Sequence, residues 1–381
     1  MDIVIKLQSN KNIIQSDSET PKLLQITSNP NLPHILRANK ALIIDAPESQ
    51  DVSGYGMVFS TSRSESTAVE FLDTQLSYLN DGDVIRVTPS ANSVRAIYRV
   101  NASANFLFVT ERCNSFCIMC SQPPRNVDDR HLIEELIEAV PLIDKGAHEI
   151  GITGGEPTLL GDRFIELLRT IKTHLPETAI HVLTNGRSYE NLSSAEKIAS
   201  LKHSDLMFGI PLYSDISNIH DFVVQADGAF DETIRGILNL KRCSQKVEIR
   251  VVIHKQTYKR LPQLAEFIGR NLQFVDHVAL MGLEITGFTR ANIDELWIDP
   301  TEYSTQLERA TEILAKYKVK TSIYNLQRCL LSHKLWPIAV KSISDWKNKY
   351  YPECTDCSEK PNCGGFFASS DIRRSDHIKA I

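Results

Sequence analysis

The run Cys113-Asn-Ser-Phe-Cys117-Ile-Met-Cys120 sets three thiols at intervals of four and three residues, directly after the short apolar segment Phe106 to Thr110. Soft sulfur ligands suit iron-sulfur and zinc centres. Three thiolates in one loop can bind three irons of a cubane cluster and leave the fourth iron without a protein ligand. Such an open iron can take a small molecule, which a closed structural site cannot. Zinc needs a fourth ligand; His131 is the nearest candidate, although its place at the start of a helical stripe equally fits a capping or surface residue. Buried thiols without metal are the remaining reading of the triplet.

Nothing in the size of the chain forces these cysteines into a stapling role. Its 381 residues and 42.9 kDa exceed the usual single domain and leave ample core for two or three. Lysine and arginine total 42 against 47 acidic residues, a formal charge of -5, which argues against a nucleic-acid coat or a polybasic membrane surface. Apolar runs such as Phe106-Leu-Phe-Val109 and Val278-Ala-Leu-Met281 fall far short of the roughly 20 residues of a spanning helix. The start, Met1-Asp-Ile-Val-Ile-Lys, carries no signal-peptide pattern, and a cytoplasmic location is expected. Of the eight cysteines, seven fall into two local clusters and Cys243 stands apart. In a reducing compartment such clusters bind metal more often than they form disulfides.

Residues 1–100 read as a mainly β accessory module for packing or substrate docking. A strand is expected over Met1 to Leu7, then a Ser/Asn/Pro-rich stretch from Ser9 to about Pro33, and strands over Ala41 to Asp45 and Tyr55 to Phe59. Asp81 to Tyr98 reads as two strands around a turn. From Asn105 short apolar strands alternate with amphipathic helices. The strands are Phe106–Thr110, Ile150–Thr153, Ile180–Thr184, Leu206–Ile210, Val247–Ile253 and Asp276–Gly282. This rhythm predicts an α/β fold with parallel strands covered by helices, and ligands gathered beyond the carboxyl ends of the strands. The repeat is expected to stop after Gly287. The division is therefore 1–100, 101–287 for the α/β region, and 288–381 for a cysteine-rich tail.

Most chemistry-bearing residues fall at strand ends. Gly154-Gly155-Glu156-Pro157 follows the second strand; its glycines permit a tight turn and close ligand approach, and Glu156 offers a carboxylate suited to an ammonium group. A plain strand-to-helix turn is the alternative. Thr184-Asn185-Gly186 ends the third strand, as a ligand border or an ordinary turn. Arg250, inside the fifth strand, needs an anionic partner if it points inward, supplied by a ligand carboxylate; facing outward it would meet a helix acid. His254 and Glu284 are further candidates, each with a plain packing or solvated alternative.

The CxxxCxxC spacing, with Met119 before the last cysteine and the glycine-acid turn about 35 residues later, resembles the signature of the radical S-adenosylmethionine (SAM) superfamily. The resemblance implies a partial (β/α)6 radical SAM barrel in which Cys113, Cys117 and Cys120 bind a [4Fe-4S] cluster. SAM would chelate the open iron, and reduction would yield methionine and a 5'-deoxyadenosyl radical. It further implies that Gly154, Gly155, Glu156 and Pro157 meet the methionine amino group, that Met119 lies near the adenine, and that Asn185, Tyr213, Ser214 and Arg250 border SAM. A reducing electron donor such as flavodoxin or ferredoxin is implied as a partner.

The tail holds Cys329, Cys354-Thr-Asp-Cys357 and Cys363-Gly-Gly365. Four thiols can close zinc or an iron-sulfur cluster, and composition does not separate the two. The C-x2-C-x5-C ending resembles the SPASM and twitch auxiliary-cluster tails of peptide-modifying radical SAM proteins, which implies a second, fully cysteine-ligated [4Fe-4S] cluster. Only four cysteines are present where a full SPASM region uses more. The longer run from Cys113 through Cys120-Ser-Gln-Pro-Pro124 is similar to the C-type radical SAM maturase of the His-Xaa-Ser peptide system. That likeness implies a peptide substrate and a paired radical SAM maturase. Two other readings stay open: a radical SAM enzyme acting on a nucleobase, nucleotide or small metabolite, and a non-enzymatic iron-sulfur electron-transfer partner.

Overall fold

The computed structural model describes residues 4–6, 20–45, 47–60, 70–71, 76–91, 93–341 and 349–381. The chain forms two compact units interleaved in sequence: Met1–Leu107, His131–Ile150 and Glu166–Thr178 make one, and Phe108–Arg130, Gly151–Ile165 and Ala179–Ile381 the other. Among the described residues no helix is long and apolar enough to cross a membrane.

The first unit is built on a mixed sheet of β1 (Val4–Lys6), β2 (Lys22–Thr27), β3 (Lys40–Ile44), β4 (Met57–Ser60), β5 (Glu70–Phe71), β6 (Val84–Thr88) and β7 (Ser93–Tyr98), ordered β1-β7-β6-β2-β3-β4-β5. Leu24, Ile26, Ala41, Phe59, Ile85, Val87 and Val94 close its core. Residues 1–3 and 7 of the strand expected over Met1–Leu7, and residues 9–19 of the Ser/Asn/Pro-rich stretch, lie outside the described residues. Within the rest of that stretch the structure places β2, central in the sheet between β6 and β3. Leu24 and Ile26 are buried and two apart, the strand period. Their signal is masked in sequence by the polar and proline-rich flanks.

Residues 131–139 of the helix Arg130–Ala139 also belong to this unit, and Glu135 is buried between Arg86 and Arg95, with which it forms two ion pairs. Glu135→Ala removes the shared acid and leaves two guanidinium groups in a poorly solvated setting. Loss of one partner from such a network is expected to lower unfolding free energy by about 3 kcal/mol, read as a shifted urea midpoint.

The second sheet runs in chain order through β8 (Phe106–Phe108), β9 (Glu149–Thr153), β10 (Ala179–Leu183), β11 (Leu206–Pro211), β12 (Lys246–Ile253), β13 (His277–Gly282) and β14 (Thr321–Tyr324). The pairs from β10 to β14 are parallel. The six expected strands stand in the expected order, and β14 adds a seventh beyond the residue at which the repeat was expected to stop. Helices Gly287–Ala291, Ile293–Leu296 and Ser304–Lys316 precede it. In β12 the odd residues Val247, Ile249, Val251 and Ile253 are buried, while the even residues Arg250 and Val252 are only partly covered. The two faces of the strand are therefore different environments, and the even face holds the polar side chains.

Candidate functional site

The cysteine loop leaves the end of β8, where the Val109 N–H donates to Thr153 O at 2.9 Å. Buried Asp129 holds its first turn by accepting from Thr110 Oγ1 at 2.8 Å and from the Glu111 N–H. Further along, the Phe116 and Ile118 N–H groups donate to Val224 O and Val223 O, both at 3.0 Å. These carbonyls close the helix Ser217–Val224, and the last carbonyls of a helix have no partner within it. The loop thus supplies the donors that the helix lacks. From the other side Phe288 N–H reaches Cys120 O at 2.8 Å, Thr289 Oγ1 reaches Met119 O at 2.9 Å and Asn292 Nδ2 reaches Ile118 O at 2.9 Å.

Burial pushes the Cys117 thiol up to about 12, and the neighbouring Cys120 and Cys113 add to the rise; Cys113 is pushed up to about 11 and Cys120 upward as well, again by burial first. Metal ligation requires the thiolates. Three neighbouring half-buried thiolates repel one another unless a cation sits among them. That donor set fits a thiophilic metal centre and offers it three ligands.

Glu156, expected to meet an ammonium group, is also tied into the fold. It is fully buried, and its carboxylate accepts from Thr158 N at 3.0 Å, Thr158 Oγ1 at 2.7 Å, Thr184 Oγ1 at 2.7 Å and Asn185 N at 2.7 Å. Oε1 takes three of these bonds and Oε2 one, so Oε2 keeps a further acceptor direction. Its own N–H donates to Arg112 O at 2.8 Å. Pro157 opens the short turn Pro157–Leu160 that Glu156 caps, a position where a missing N–H does no harm. The glycines have a second reason besides ligand approach: a Cβ on Gly154 would lie 2.6 Å from Thr110 O, and one on Gly155 2.2 Å from Arg112 O. The turn packs backbone to backbone on the cysteine loop.

Asn185 Nδ2 donates to Asn114 Oδ1 at 2.6 Å, which joins the Thr-Asn-Gly turn to the same loop. Arg187, which the sequence reading missed, does more: Nη1 donates to Asn114 O at 2.5 Å and to Ser115 Oγ at 3.1 Å, Nε pairs with Glu232, and its charge moderates the rise at Cys117. No local pattern announces it beyond a cation directly after the Asn185-Gly186 pair. Met119 and Tyr213 share a buried apolar cluster with Val223, Val224 and Leu296. Burial raises the Tyr213 phenol well above its ordinary range, with a contribution from Cys117 and Cys120 that puts it in electrostatic reach of the thiols. Ser214 is buried, and its hydroxyl accepts from the Ile216 N–H at 3.1 Å, a turn-closing role.

Arg250 has neither a helix acid nor an unmatched charge. Its Nη1 donates to Glu248 Oε1 at 2.6 Å, two residues earlier on the same strand face, and its Nη2 reaches Met281 Sδ at 3.3 Å. Glu248 also meets His277 Nδ1 at 2.7 Å, whose Nε2 meets Ser322 Oγ at 2.9 Å. Burial alone would raise the Glu248 carboxyl, but the His277 hydrogen bond and the Arg250 charge hold it at about 2. His131 is exposed in the first turn of its helix and keeps its surface reading. Cys243 caps the helix Ala229–Arg242, apart from both clusters.

In the tail, Cys329, Cys354, Cys357 and Cys363 line one cavity together with Arg328, Tyr350, Glu359 and Lys379. Cys329 is distant in sequence, and two neighbours carry it there. Gln327 Nε2 donates to Gly365 O at 2.7 Å, and Arg328 Nη1 pairs with Glu359 Oε2 at 2.5 Å. Tyr350 Oη donates to Cys363 O at 3.3 Å. All eight cysteines are free thiols. Among the described residues no group of three or more His, Cys, Asp or Glu converges on a single ion; the four thiols instead surround a shared space.

The family described as the radical SAM superfamily matches residues 107–268. Those residues form a radical SAM domain. They hold the cysteine loop, the glycine-acid turn and β8 to β12. The chain is 27% identical over 202 residues to a putative glycyl-radical enzyme activating enzyme of Methanocaldococcus jannaschii, covering 50% of this chain and 49% of that protein. It is 29% identical over 168 residues to an Fe-coproporphyrin III synthase of Methanosarcina barkeri, covering 42% and 39%. It is 26% identical over 230 residues to a GTP 3',8-cyclase of Campylobacter jejuni, covering 57% and 67%. The chain spans about half the length or less of the first two. Among solved structures, SuiB of Streptococcus suis bound to S-adenosylmethionine shares 19% identity and a TM-score of 0.46 over 57% of this chain and 49% of that one.

Two outcomes follow for the radical SAM domain. Gly155→Ala drives a methyl group into Arg112 O and is expected to destabilise the apoprotein by about 1–3 kcal/mol, with reduced iron retained at the first triplet but not at the tail; denaturation and iron analysis read both. At pH 8, iron-free Cys117 should alkylate more slowly than glutathione, and the difference should vanish in urea, as mass spectrometry of the labelled peptide will show.

Proposed function

We propose that the chain cleaves SAM reductively to a 5'-deoxyadenosyl radical and uses it to modify a ribosomally made peptide by hydrogen abstraction, with a His-Xaa-Ser repeat peptide as the substrate. The observation that carries the first half is the clamped loop of three thiols, packed against Gly154-Gly155-Glu156 at the strand ends of a radical SAM domain. When bound, a [4Fe-4S] cluster on Cys113, Cys117 and Cys120 supplies a low-potential electron and an open coordination site. The chain's own residues do the rest. Asp129, Glu156, Arg187 and the Thr289–Asn292 pair fix the loop, and Met119 and Tyr213 wall the space beside it. No strong general base is required, because hydrogen abstraction depends on placement and the exclusion of water.

The peptide half rests on the Cys113 to Pro124 sequence and on the tail. Four thiols around a common space could close a four-cysteine [4Fe-4S] cluster, the group that the SPASM- and twitch-like ending implies. We assign a second [4Fe-4S] cluster to Cys329, Cys354, Cys357 and Cys363, closed to substrate and suited to electron transfer. The residue divisions 1–100, 101–287 and 288–381 are kept as functional regions, with a flavodoxin or ferredoxin as electron donor, a paired maturase as partner, and a cytoplasmic setting that keeps the thiols reduced. A second reading, action on a nucleotide or another small molecule, is favoured by the polar face of β12 and β13 with Glu248, Arg250 and His277, and by relatives named for GTP and coproporphyrin chemistry.

Anaerobically reconstituted protein with dithionite is expected to release 5'-deoxyadenosine from SAM. Cys113→Ala, Cys117→Ala and Cys120→Ala should each abolish release while tail iron persists, and Cys354→Ala/Cys357→Ala should remove the tail signal from the Mössbauer spectrum. A mass change in a His-Xaa-Ser peptide, and none in GTP, decides between the two substrate classes. Undiminished SAM cleavage in all three single variants would show that the site lies elsewhere.

A further inference from the structure

The tail cavity has one wall that comes from neither cysteine segment. Lys379 and Ile381 line it beside the four thiols. Ile381 O accepts from the Ser358 N–H at 2.9 Å and from Ser358 Oγ at 2.8 Å, and Ser358 directly follows Cys357. Two residues before Ile381, the Lys379 N–H is hydrogen-bonded to the Cys329 thiol and opposes the rise that burial imposes on it. Residues 379–381 therefore touch both parts of the thiol set: Cys329, which arrives from β14, and the loop that carries Cys357.

Anchors upstream bring this stretch to the cavity. Arg373 Nη1 pairs with Asp294 Oδ1 at 3.1 Å, and its guanidinium lies 4.6 Å from the centre of the Trp297 ring. The Arg374 guanidinium lies 4.0 Å from the centre of the Tyr351 ring. Ser375 is buried and hydrogen-bonded to Asp299. Past these anchors the chain is largely exposed, so little apolar burial holds residues 379–381 down. A segment with few buried contacts opens at a small local free energy, and each hydrogen bond at its far end is then a large share of what keeps it closed. Ser358 supplies two of those bonds.

We propose that residues 379–381 form a strap across the tail cavity, covering Cys329 and joining it to the Cys357 loop, and that Ser358 is the positioning residue that keeps the strap closed. The inference rests on the reading of the tail as a second cluster site and adds to it the residues that guard that site. Hydrogen bonds to the sulfurs and exposure to solvent are two of the levers by which a protein tunes an iron-sulfur centre. The Lys379 main-chain N–H supplies the first and the cover of the strap the second. Because that donor is main-chain, the lysine side chain is dispensable, whereas the Ser358 hydroxyl is not.

The full-length protein, Ser358→Ala, Ser358→Thr and Lys379→Ala are compared iron-free and after anaerobic reconstitution. In iron-free Ser358→Ala, Cys329 should alkylate about two- to ten-fold faster, the factor for one neutral hydrogen bond, while the rate at Cys113 is unchanged. In the reconstituted variant, tail iron followed by Mössbauer spectroscopy should pass to a chelator faster by a similar factor. Ser358→Thr keeps the hydroxyl and Lys379→Ala keeps the main-chain donor, so both should match the unaltered protein in each measurement. Equal rates for Ser358→Ala and the unaltered protein overturn the strap. So does an effect of Lys379→Ala as large as that of Ser358→Ala, which places the role in the lysine side chain, or a faster rate at Cys113 as well, which marks general loosening. If the unaltered protein takes up no tail iron, the second-cluster reading fails and the guarding role with it; alkylation of the iron-free protein still decides whether the strap covers Cys329.

Discussion

One buried carboxylate holds the ends of three strands together. Through its N–H, Glu156 grips the cysteine loop that follows β8; through its side chain it closes the turn after β9 and accepts from Thr184 and Asn185 at the end of β10. Hydrogen bonds to a charged acceptor in a dry setting are stronger than neutral ones and fix geometry as well. Each of the three segments carries something the site requires: thiols, glycines, and the Asn185 and Arg187 side chains that reach Asn114. If this anion were free to follow a ligand, the three segments would lose their common reference. The remaining elements, from the Asp129 anchor to the 288–292 clamp, refine a loop whose place Glu156 has already defined.

Charge explains why the site is built on a neutral apoprotein. Thiols raised to about 11 and 12 at Cys113 and Cys117 are protonated near neutrality, so the empty loop holds no cluster of negative charges and needs no protein cation to keep it folded. Arg187 lowers the barrier to ionisation at Cys117 without cancelling it. A thiophilic metal bound there would therefore displace protons, and its binding would become easier as pH rises. On β12 the opposite design appears, because Arg250 and Glu248 neutralise each other before any ligand arrives.

Much of the second sheet was legible in the chain. Period-breaking apolar runs separated by amphipathic helices are local signals, and the six expected strands and their order survive in the structure. The cysteine triplet was legible for the same reason, since its chemistry lies within eight consecutive residues. What escaped notice were relationships across distance. Glu156 to Thr184, Arg187 to Asn114 and Gln327 to Gly365 leave no mark in any window of sequence. β2 was hidden by its flanks, and β14 by the loss of rhythm after Gly287. Arg250 was recognised as needing an anion, and the anion was two residues away on the same face, a spacing that strand periodicity could have supplied.

The position of Cys329 just beyond β14 links the assembly of the tail cavity to the order of folding. Three of the tail thiols lie within ten residues of one another, from Cys354 to Cys363, and can gather locally. The fourth is delivered by the last strand of the sheet and pinned by Gln327 and Arg328. A complete set of tail thiols therefore exists only once β14 has docked on β13, whereas the first triplet is complete as soon as its own loop is clamped. The tail cavity is in this sense a checkpoint on the finished sheet, and its four-thiol lining reports that the strands before it have found their places.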